Sequence, residues 1–123
     1  SSSKVSIRST TSVIKYSEII RCLTDNIGTN LTVDDIAQMC NMIPSSIKQI
    51  FKQFTGMGIM QFYRQMKMNS AISMLLKGLS VREISHKLGY SDSYYFSTVF
   101  KRVMGVSPTR YIAKMQDKDK NSH

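Results

Sequence analysis

The stretch LSVREISHKLGYSDSYYFSTVFKRVMGVSPTRY, residues 79–111, has the pattern of two short helices joined by a tight turn. Ser80 is a preferred residue at a helix N-terminus, and Glu83 three residues later completes the pattern of a capping box. The first helix has a buried stripe at helical spacing, formed by Val81, Ile84, Ser85 and Leu88. The second helix has another, formed by Phe96, Val99, Phe100 and Val103. Between the stripes, Gly89 suits a sharp turn, so the stretch predicts a helix-turn-helix.

An earlier stretch repeats this pattern at an almost constant offset. The first stripe recurs 48 residues earlier as Val33, Ile36, Ala37 and Cys40. The second stripe recurs 49 residues earlier as Ile47, Ile50, Phe51 and Phe54. Asn41 stands where the later copy has Gly89, and Gly56 where it has Gly105. Offsets this steady across two stripes and two turn residues predict a duplicated unit.

The remaining periodic segments predict one helix before the first copy and one between the copies. The first is predicted at Val13–Ile27, and the second, a longer one, at Gly58–Leu76. The predicted fold is therefore all-α, with two helix-turn-helix subdomains joined by a long linking helix. The predicted organisation is a flexible arm at 1–12, a first helix-turn-helix unit at 13–56, the linking helix at 57–78, a second unit at 79–115 and a disordered tail at 116–123. Because the chain starts with Ser rather than Met, we interpret the arm as a linker that follows an upstream domain.

Positive charge is concentrated in the region that contains the repeated pattern. The chain has 17 Lys and Arg against 8 Asp and Glu, for a formal charge of +9. Between residues 43 and 115 there are 11 basic residues and only 2 acidic ones. Such a field attracts polyanions, nucleic acid first and an anionic membrane surface second. Charge alone is equally compatible with a solubilising surface. No apolar run approaches the roughly 18 residues of a membrane span.

Polar and basic residues occupy the positions that the second stripe of each copy leaves facing outward. In the first copy these are Ser45, Lys48, Gln49 and Lys52. In the second copy they are Ser93, Tyr94, Ser97, Thr98, Lys101 and Arg102. On the second helix of a helix-turn-helix, such side chains suit the base edges of a DNA major groove. Gln49 suits adenine, Lys48 and Lys52 suit guanine or phosphate, and Tyr94 suits a thymine methyl group or a phosphate. The alternative for each residue taken singly is a solvated helix face.

Other patterns give no case for an enzyme, a metal or a cofactor. Cys22 and Cys40 lack the spacing of a disulfide framework or a zinc site, so we expect buried free thiols in a reducing compartment. His86 has no second ligand at metal-binding spacing and is predicted to be a surface residue. Asp34 and Asp35 fall in the first turn of a predicted helix, where the helix dipole favours them over a catalytic role.

From Ile84 to Tyr111, the chain resembles the signature of AraC/XylS-type bacterial transcription regulators. The matching runs are Gly89-Tyr90-Ser91-Asp92, Tyr95-Phe96, Phe100-Lys101 and Gly105-Val106-Ser107-Pro108. The resemblance implies a bacterial, cytoplasmic regulator, for which activation is the commoner mode of regulation. Such a regulator places two recognition helices in successive major grooves of promoter DNA. The resemblance also implies RNA polymerase as a partner, no membrane association, and dimerisation through an upstream domain.

Carried over by position, the resemblance assigns base contacts to Ser45, Lys48, Gln49, Ser93, Tyr94, Ser97 and Thr98, and phosphate contacts to Lys52 and Lys101. The chain departs from the family pattern at several positions. Gln49 and Thr98 stand where relatives often have Arg, Ile43 stands where a capping Ser is usual, and Lys67 stands where Arg is usual. The last change removes the fork geometry of a bidentate contact. The alternative function is a basic helical module that docks on a protein partner or an anionic membrane surface.

Overall fold

A computed structural model describes residues 2–121 of the chain, with side chains described for residues 10–119. This part of the chain is all-α, which confirms the predicted fold class. The helices are α1 (Ser2–Asp25), α2 (Val33–Met39), α3 (Pro44–Thr55), α4 (Ile59–Leu76), α5 (Val81–Lys87), α6 (Ser93–Met104) and α7 (Pro108–Asn121). No helix of the described residues is long and apolar enough to cross a bilayer.

The chain divides into two compact units. Unit 1 consists of Ser1–Ile27 and Leu31–Arg64, and unit 2 consists of Gly28–Asn30 and Gln65–His123. The boundary therefore falls inside α4, whereas the sequence analysis treats that helix as a separate linking element. A short segment between α1 and α2 belongs to unit 2, so each unit is assembled from two pieces of chain.

Unit 1 has a core of apolar side chains from α1, α2, α3 and the start of α4. The buried residues are Ile19, Leu23, Leu31, Ile36, Ala37, Ile47, Phe51, Ile59 and Tyr63. Each large side chain among them contributes roughly 1.5–3 kcal/mol through its removal from water. Phe54, predicted to be buried, is 39% exposed, but its ring stacks on Tyr16 with centroids 4.6 Å apart. The partner ring covers one face of Phe54 and leaves the other to solvent.

Unit 2 has an equivalent core from the end of α4, α5, α6 and the start of α7. Its buried residues are Lys67, Met68, Ala71, Leu75, Ile84, Ser85, Leu88, Phe96, Val99, Phe100 and Pro108. Lys67 is an unexpected member of this core. From the sequence alone, Lys67 is expected only to stand in place of a usual Arg in the linking helix.

The predicted duplication agrees with the observed helix bounds. Helices α2 and α5 have 7 residues each, and α3 and α6 have 12 residues each. The turns agree as well, because Asn41 and Gly89 both have positive φ angles, of 54° and 79°. An equivalent backbone bond closes each turn, from Met42 to Ala37 and from Tyr90 to Ser85. Each unit therefore builds the same helix–turn–helix backbone.

The helix caps follow the sequence closely but not completely. Ser80 Oγ accepts a hydrogen bond from the Glu83 N–H at 3.1 Å, which is half of the capping box predicted there. The complete box is at the start of α2, where Thr32 and Asp35 bond to each other's backbone N–H groups. The bond from the Thr32 N–H lowers the pKa of the Asp35 carboxyl.

Both ends of the described chain differ from the prediction. The structure has helix from Ser2, where the sequence analysis predicts a flexible arm over 1–12, and no Gly or Pro interrupts this segment. At the other end α7 continues to Asn121, into the predicted disordered tail, because Pro108 begins the helix and no helix breaker follows. Ser1 of the arm and residues 122–123 of the tail lie outside the described residues.

Candidate nucleic-acid interface

Helix α3 of unit 1 has one buried face and one polar face. Ile47 and Phe51 are fully buried and attach the helix to the core. The four predicted site residues, spaced i, i+3, i+4 and i+7, are all exposed on the helix surface: Ser45, Lys48, Gln49 and Lys52. Two positive charges and an amide are thereby brought together on one helix face.

The start of α3 is weakly capped, as the sequence predicts. Ile43 occupies the N-cap position and makes no side-chain hydrogen bond to the first turn. Its side chain is 64% exposed. At the other end, Gly56 with φ of 73° turns the chain away from the helix. The helix is held in between by Phe51, whose ring meets Phe62 edge-on with centroids 4.9 Å apart.

Helix α6 of unit 2 is held in the same manner. Phe96, Val99 and Phe100 are buried, and the Phe100 ring meets Tyr111 edge-on at 5.8 Å. The predicted site residues fall into two groups by exposure. The exposed residues are Tyr94, Thr98, Lys101 and Arg102, and the half-buried ones are Ser93 and Ser97. Tyr94 is 84% exposed, so nearly its whole ring is available to a partner.

Two hydrogen bonds refine the interpretation of the α6 surface. Asp92, rather than Ser93, caps the helix, because its carboxylate accepts from the Tyr95 N–H at 2.7 Å. Asp is among the residues most strongly preferred at a helix N-cap. The Thr98 hydroxyl donates to the Tyr94 carbonyl at 3.0 Å. Thr98 therefore presents its methyl group and the acceptor side of its oxygen outward.

Several polar residues near the start of α6 were missed by sequence reasoning. A depression in unit 2 is lined by Arg82 and His86 of α5 together with Ser91, Asp92 and Ser93. Arg82 and His86 are four residues apart and so share one face of α5, which is the signal that might have identified them. Tyr95 is also 55% exposed beside Tyr94, with its ring 5.8 Å from that of Tyr90. These residues extend the polar surface beyond α6 itself.

Lys67 supports the turn that leads into α6. Only 3% of this residue is exposed, and its ammonium donates to the carbonyl oxygens of Thr29 and Leu88, both at 2.7 Å. The ammonium also lies 5.7 Å from the centre of the Tyr90 ring. Burial lowers the pKa of Lys67 to about 8, which leaves it largely protonated at neutral pH. Lys67 thus makes two hydrogen bonds without the fork of an Arg.

Two helix-turn-helix units, each with a firmly packed second helix and a polar outer face, define a DNA-binding domain. The model of a family described as a helix-turn-helix domain matches residues 36–114. The chain belongs to the AraC/XylS-type family of helix-turn-helix transcription regulators. That family consists of regulators rather than enzymes, in agreement with the prediction from the sequence.

Several known proteins that are similar to this chain are named as transcription regulators. It is 33% identical over 102 residues, 82% of the chain, to the uncharacterized HTH-type transcriptional regulator YpdC of Escherichia coli, and covers 36% of that protein. It is 32% identical over 100 residues, 80% of the chain, to the HTH-type transcriptional activator RhaR of Mannheimia succiniciproducens, and again covers 36% of that protein. The chain thus spans about a third of the length of these relatives.

The fold is also similar to that of solved structures. One is a transcriptional regulator with an AraC-type DNA-binding domain from Chromobacterium violaceum, with a TM-score of 0.75 and 24% sequence identity. The match covers 85% of this chain and 95% of that one. At this identity, the similarity establishes the fold alone.

Proposed function

We propose that the chain is the sequence-specific DNA-binding part of a transcription regulator, and that α3 and α6 enter successive major grooves of promoter or operator DNA. One observation carries the proposal. Two helices of equal length, each with its apolar face packed in a core, both expose hydrogen-bonding and basic side chains on the opposite face. A solubilising surface has no need to place such faces at equivalent positions of a repeated unit.

In this proposal α3 is the more selective reader. The Gln49 amide pairs with N6 and N7 of adenine, which only the major groove offers together. Lys48 donates to guanine or to a phosphate, Lys52 contacts the backbone, and Ser45 lies near the start of the helix. Because Arg is absent from this face, recognition of guanine falls to Lys48, which lacks the rigid fork of a guanidinium.

Helix α6 reads bases mainly through shape and apolar contact. The exposed Tyr94 ring approaches a thymine methyl group or places its hydroxyl on a phosphate. Thr98 offers a methyl group, which also suits thymine, while Ser93 and Ser97 give less selective hydrogen bonds. Lys101 and Arg102 bind phosphates and add affinity without sequence preference.

The biological role is inferred from the relatives. RhaR is named a transcriptional activator, and we propose that this chain likewise acts in activation. Its protein partner at the promoter would be RNA polymerase. Its location would be the bacterial cytoplasm. The relatives are about three times as long as the match. We propose that the whole protein dimerises and senses its signal through residues beyond those that this chain matches.

The testing experiment is a binding selection from randomised duplex DNA at about 0.15 M salt, where exposed charges are substantially screened. We expect enrichment of two short motifs separated by about 10 base pairs, one helical turn. Enrichment of a single motif would contradict reading by both helices. No enrichment, with binding that disappears as salt rises, would leave only non-specific attraction, and docking on a protein or an anionic membrane would replace the proposal.

A further inference from the structure

Three sulfur atoms lie together in unit 1, on the surface formed by α1 and α2. Cys22 belongs to α1, Met39 is the last residue of α2, and Cys40 is its C-cap. The Cys22 thiol donates to the Met39 thioether, with 3.9 Å between the sulfur atoms. Cys40 lines the same surface depression as Cys22 and Met39. Both cysteines are half-buried and free, and Met39 is 55% exposed.

The separation of the Cys22 and Met39 sulfur atoms is compatible with two ligands of one metal ion. A metal–thiolate bond is about 2.3 Å long, so two sulfur ligands of a trigonal site lie about 4 Å apart. The observed 3.9 Å between Cys22 and Met39 is close to this value. The group lines an open depression together with Glu18, Arg21 and Asp25, so an ion can reach it from solvent.

The electrostatic surroundings oppose free thiolates at this site. Burial raises the pKa of the Cys22 thiol, the Cys40 thiol lowers it, and the Asp25 carboxylate raises it. Burial, the Cys22 thiol and the charge of Glu18 together raise the pKa of Cys40 to about 11. Thiols held protonated in this way react slowly with peroxides and disulfides. Exchange of two thiol protons for one monovalent cation adds one negative charge to the site, so the neighbouring carboxylates do not favour it, and the metal–thiolate bonds themselves must drive the binding.

The donor set selects the kind of metal. Zn²⁺ in proteins prefers four ligands from Cys, His, Asp and Glu, and within the described residues no group of three such side chains is arranged to hold a metal ion. Two thiolates and one thioether are instead soft ligands, which suit Cu(I). No sequence motif indicates this group, because Cys22 and Cys40 are far apart in the chain.

We propose that Cys22, Cys40 and Met39 form a binding site for one Cu(I) ion. Two S–H bonds break and release two protons to solvent, two copper–thiolate bonds form, and the Met39 thioether donates a lone pair. The copper stays in the +1 state, and no oxidant or reductant is consumed. The bound ion links α1 to the end of α2, immediately before the turn that leads to α3.

The test is anaerobic titration of the reduced chain with Cu(I) against a coloured copper chelator of known affinity. We expect one ion per chain and about three sulfur neighbours by X-ray absorption. Cys22→Ser or Cys40→Ser should weaken binding by at least about 100-fold, since loss of an outer-shell partner alone costs about 10–100-fold. Met39→Leu should weaken it less and remove one sulfur neighbour. Met115→Leu, which changes an exposed thioether of unit 2, is the matched control and should leave binding unchanged.

Circular dichroism establishes that each variant is folded before its copper affinity is compared. The proposal is overturned if the reduced chain leaves all copper with the chelator, or if the double Cys22→Ser, Cys40→Ser variant binds as tightly as the original. It is also overturned if zinc binds at the same site with equal affinity. Rapid closure of a Cys22–Cys40 disulfide by hydrogen peroxide, without copper binding, would assign the pair to redox chemistry instead.

Discussion

Lys67 illustrates how one buried charge organises its surroundings. Its ammonium is removed from water, and two backbone carbonyls supply the hydrogen bonds that water would have made. One of those carbonyls belongs to Leu88, the residue before the turn that precedes α6. A side chain outside the candidate interface therefore holds the backbone just before the turn that precedes α6.

We expect Lys67→Met to lower the free energy of unfolding by about 2–3 kcal/mol, because the charged hydrogen bonds are lost and a buried carbonyl is left unpaired. Urea unfolding followed by circular dichroism measures this. Lys77→Met, which replaces an exposed lysine near the end of the same helix, is the control and should change stability by less than about 0.5 kcal/mol. An equal loss of unfolding free energy in both variants would mean that the buried hydrogen bonds of Lys67 add little to stability.

The same lysine predicts a dependence of stability on pH. Its pKa is about 8 in the folded chain and near its ordinary value of 10.5 in the unfolded chain. Between these values the unfolded chain binds more protons, so the stability of the original protein relative to Lys67→Met should rise from pH 8 to 10.5. A relative stability that falls over this interval would show that the carbonyls retain the proton more strongly than burial expels it.

Gln49 carries the sharpest prediction about sequence recognition. Gln49→Ala should weaken binding to the selected DNA by about 1–3 kcal/mol and relax the preference at one base position. Gln116→Ala on α7 changes an exposed amide outside the proposed interface and serves as the control. The measurement is the affinity for the selected site and for its single-base variants. An equal loss on every sequence would make Gln49 a backbone contact.

At the scale of the elements, the turns between helices are as constrained as the helices. Gly89 has a φ of 79°, and a methyl carbon added there would lie 2.5 Å from the Gly28 carbonyl oxygen. Gly78, after α4, has a φ of 88° but open space around it. The two glycines share the same backbone conformation and differ in how closely another segment approaches.

A comparison of alanine variants at Gly78 and Gly89 separates the stability cost of backbone strain from the stability cost of steric contact. Gly78→Ala should cost about 1–2 kcal/mol, the usual penalty for a side chain in the left-handed region. Gly89→Ala should cost about 1–3 kcal/mol more, because the added methyl group also overpacks against Gly28. Thermal or urea unfolding of the two variants measures the difference. Equal costs would indicate that the segment at Gly28 moves away freely.

The unequal caps of α3 and α6 allow the start of one helix to be improved. Ile43→Ser should stabilise the chain by about 0.5–1 kcal/mol, because a hydroxyl would accept a bond from the first turn of α3. Little apolar contact is lost, since Ile43 is 64% exposed. Asp92→Ala is the converse change and should destabilise by about 1 kcal/mol. A destabilised Ile43→Ser variant would show that the isoleucine has a packing role.

At the scale of the whole molecule, the net charge of +9 acts on DNA of any sequence. Lys101→Ala should weaken binding to specific and random DNA alike and reduce the slope of log affinity against log salt by about one. Lys118→Ala removes an equal charge from an exposed position of α7. An unchanged slope for Lys101→Ala, or an equal change for both variants, would remove Lys101 from the phosphate contacts.

The sequence predicts the elements best where apolar spacing and turn residues agree. The stripes around Ile36, Phe51, Ile84 and Phe100 correctly predicted helices at α2, α3, α5 and α6, and most of the outward positions of α3 and α6 followed from them. Side-chain roles that depend on distant partners were not predictable. A lysine in a helix pattern indicates surface, and only the folded chain shows the carbonyls of Thr29 and Leu88 around Lys67. The proximity of Cys22 to Cys40 was hidden for the same reason.

Unit 2 is discontinuous along the chain, because three residues from the α1–α2 connection belong to it. These residues supply the Thr29 carbonyl to Lys67, and Asn30 donates to the Gly89 carbonyl. No single cut can therefore release unit 2 intact. A fragment that begins at Gln65 would lack the exposed segment that supplies a carbonyl partner to Lys67 and a hydrogen-bond donor to Gly89. Although the two units repeat one sequence pattern, unit 2 depends on a segment that lies within the span of unit 1 along the chain.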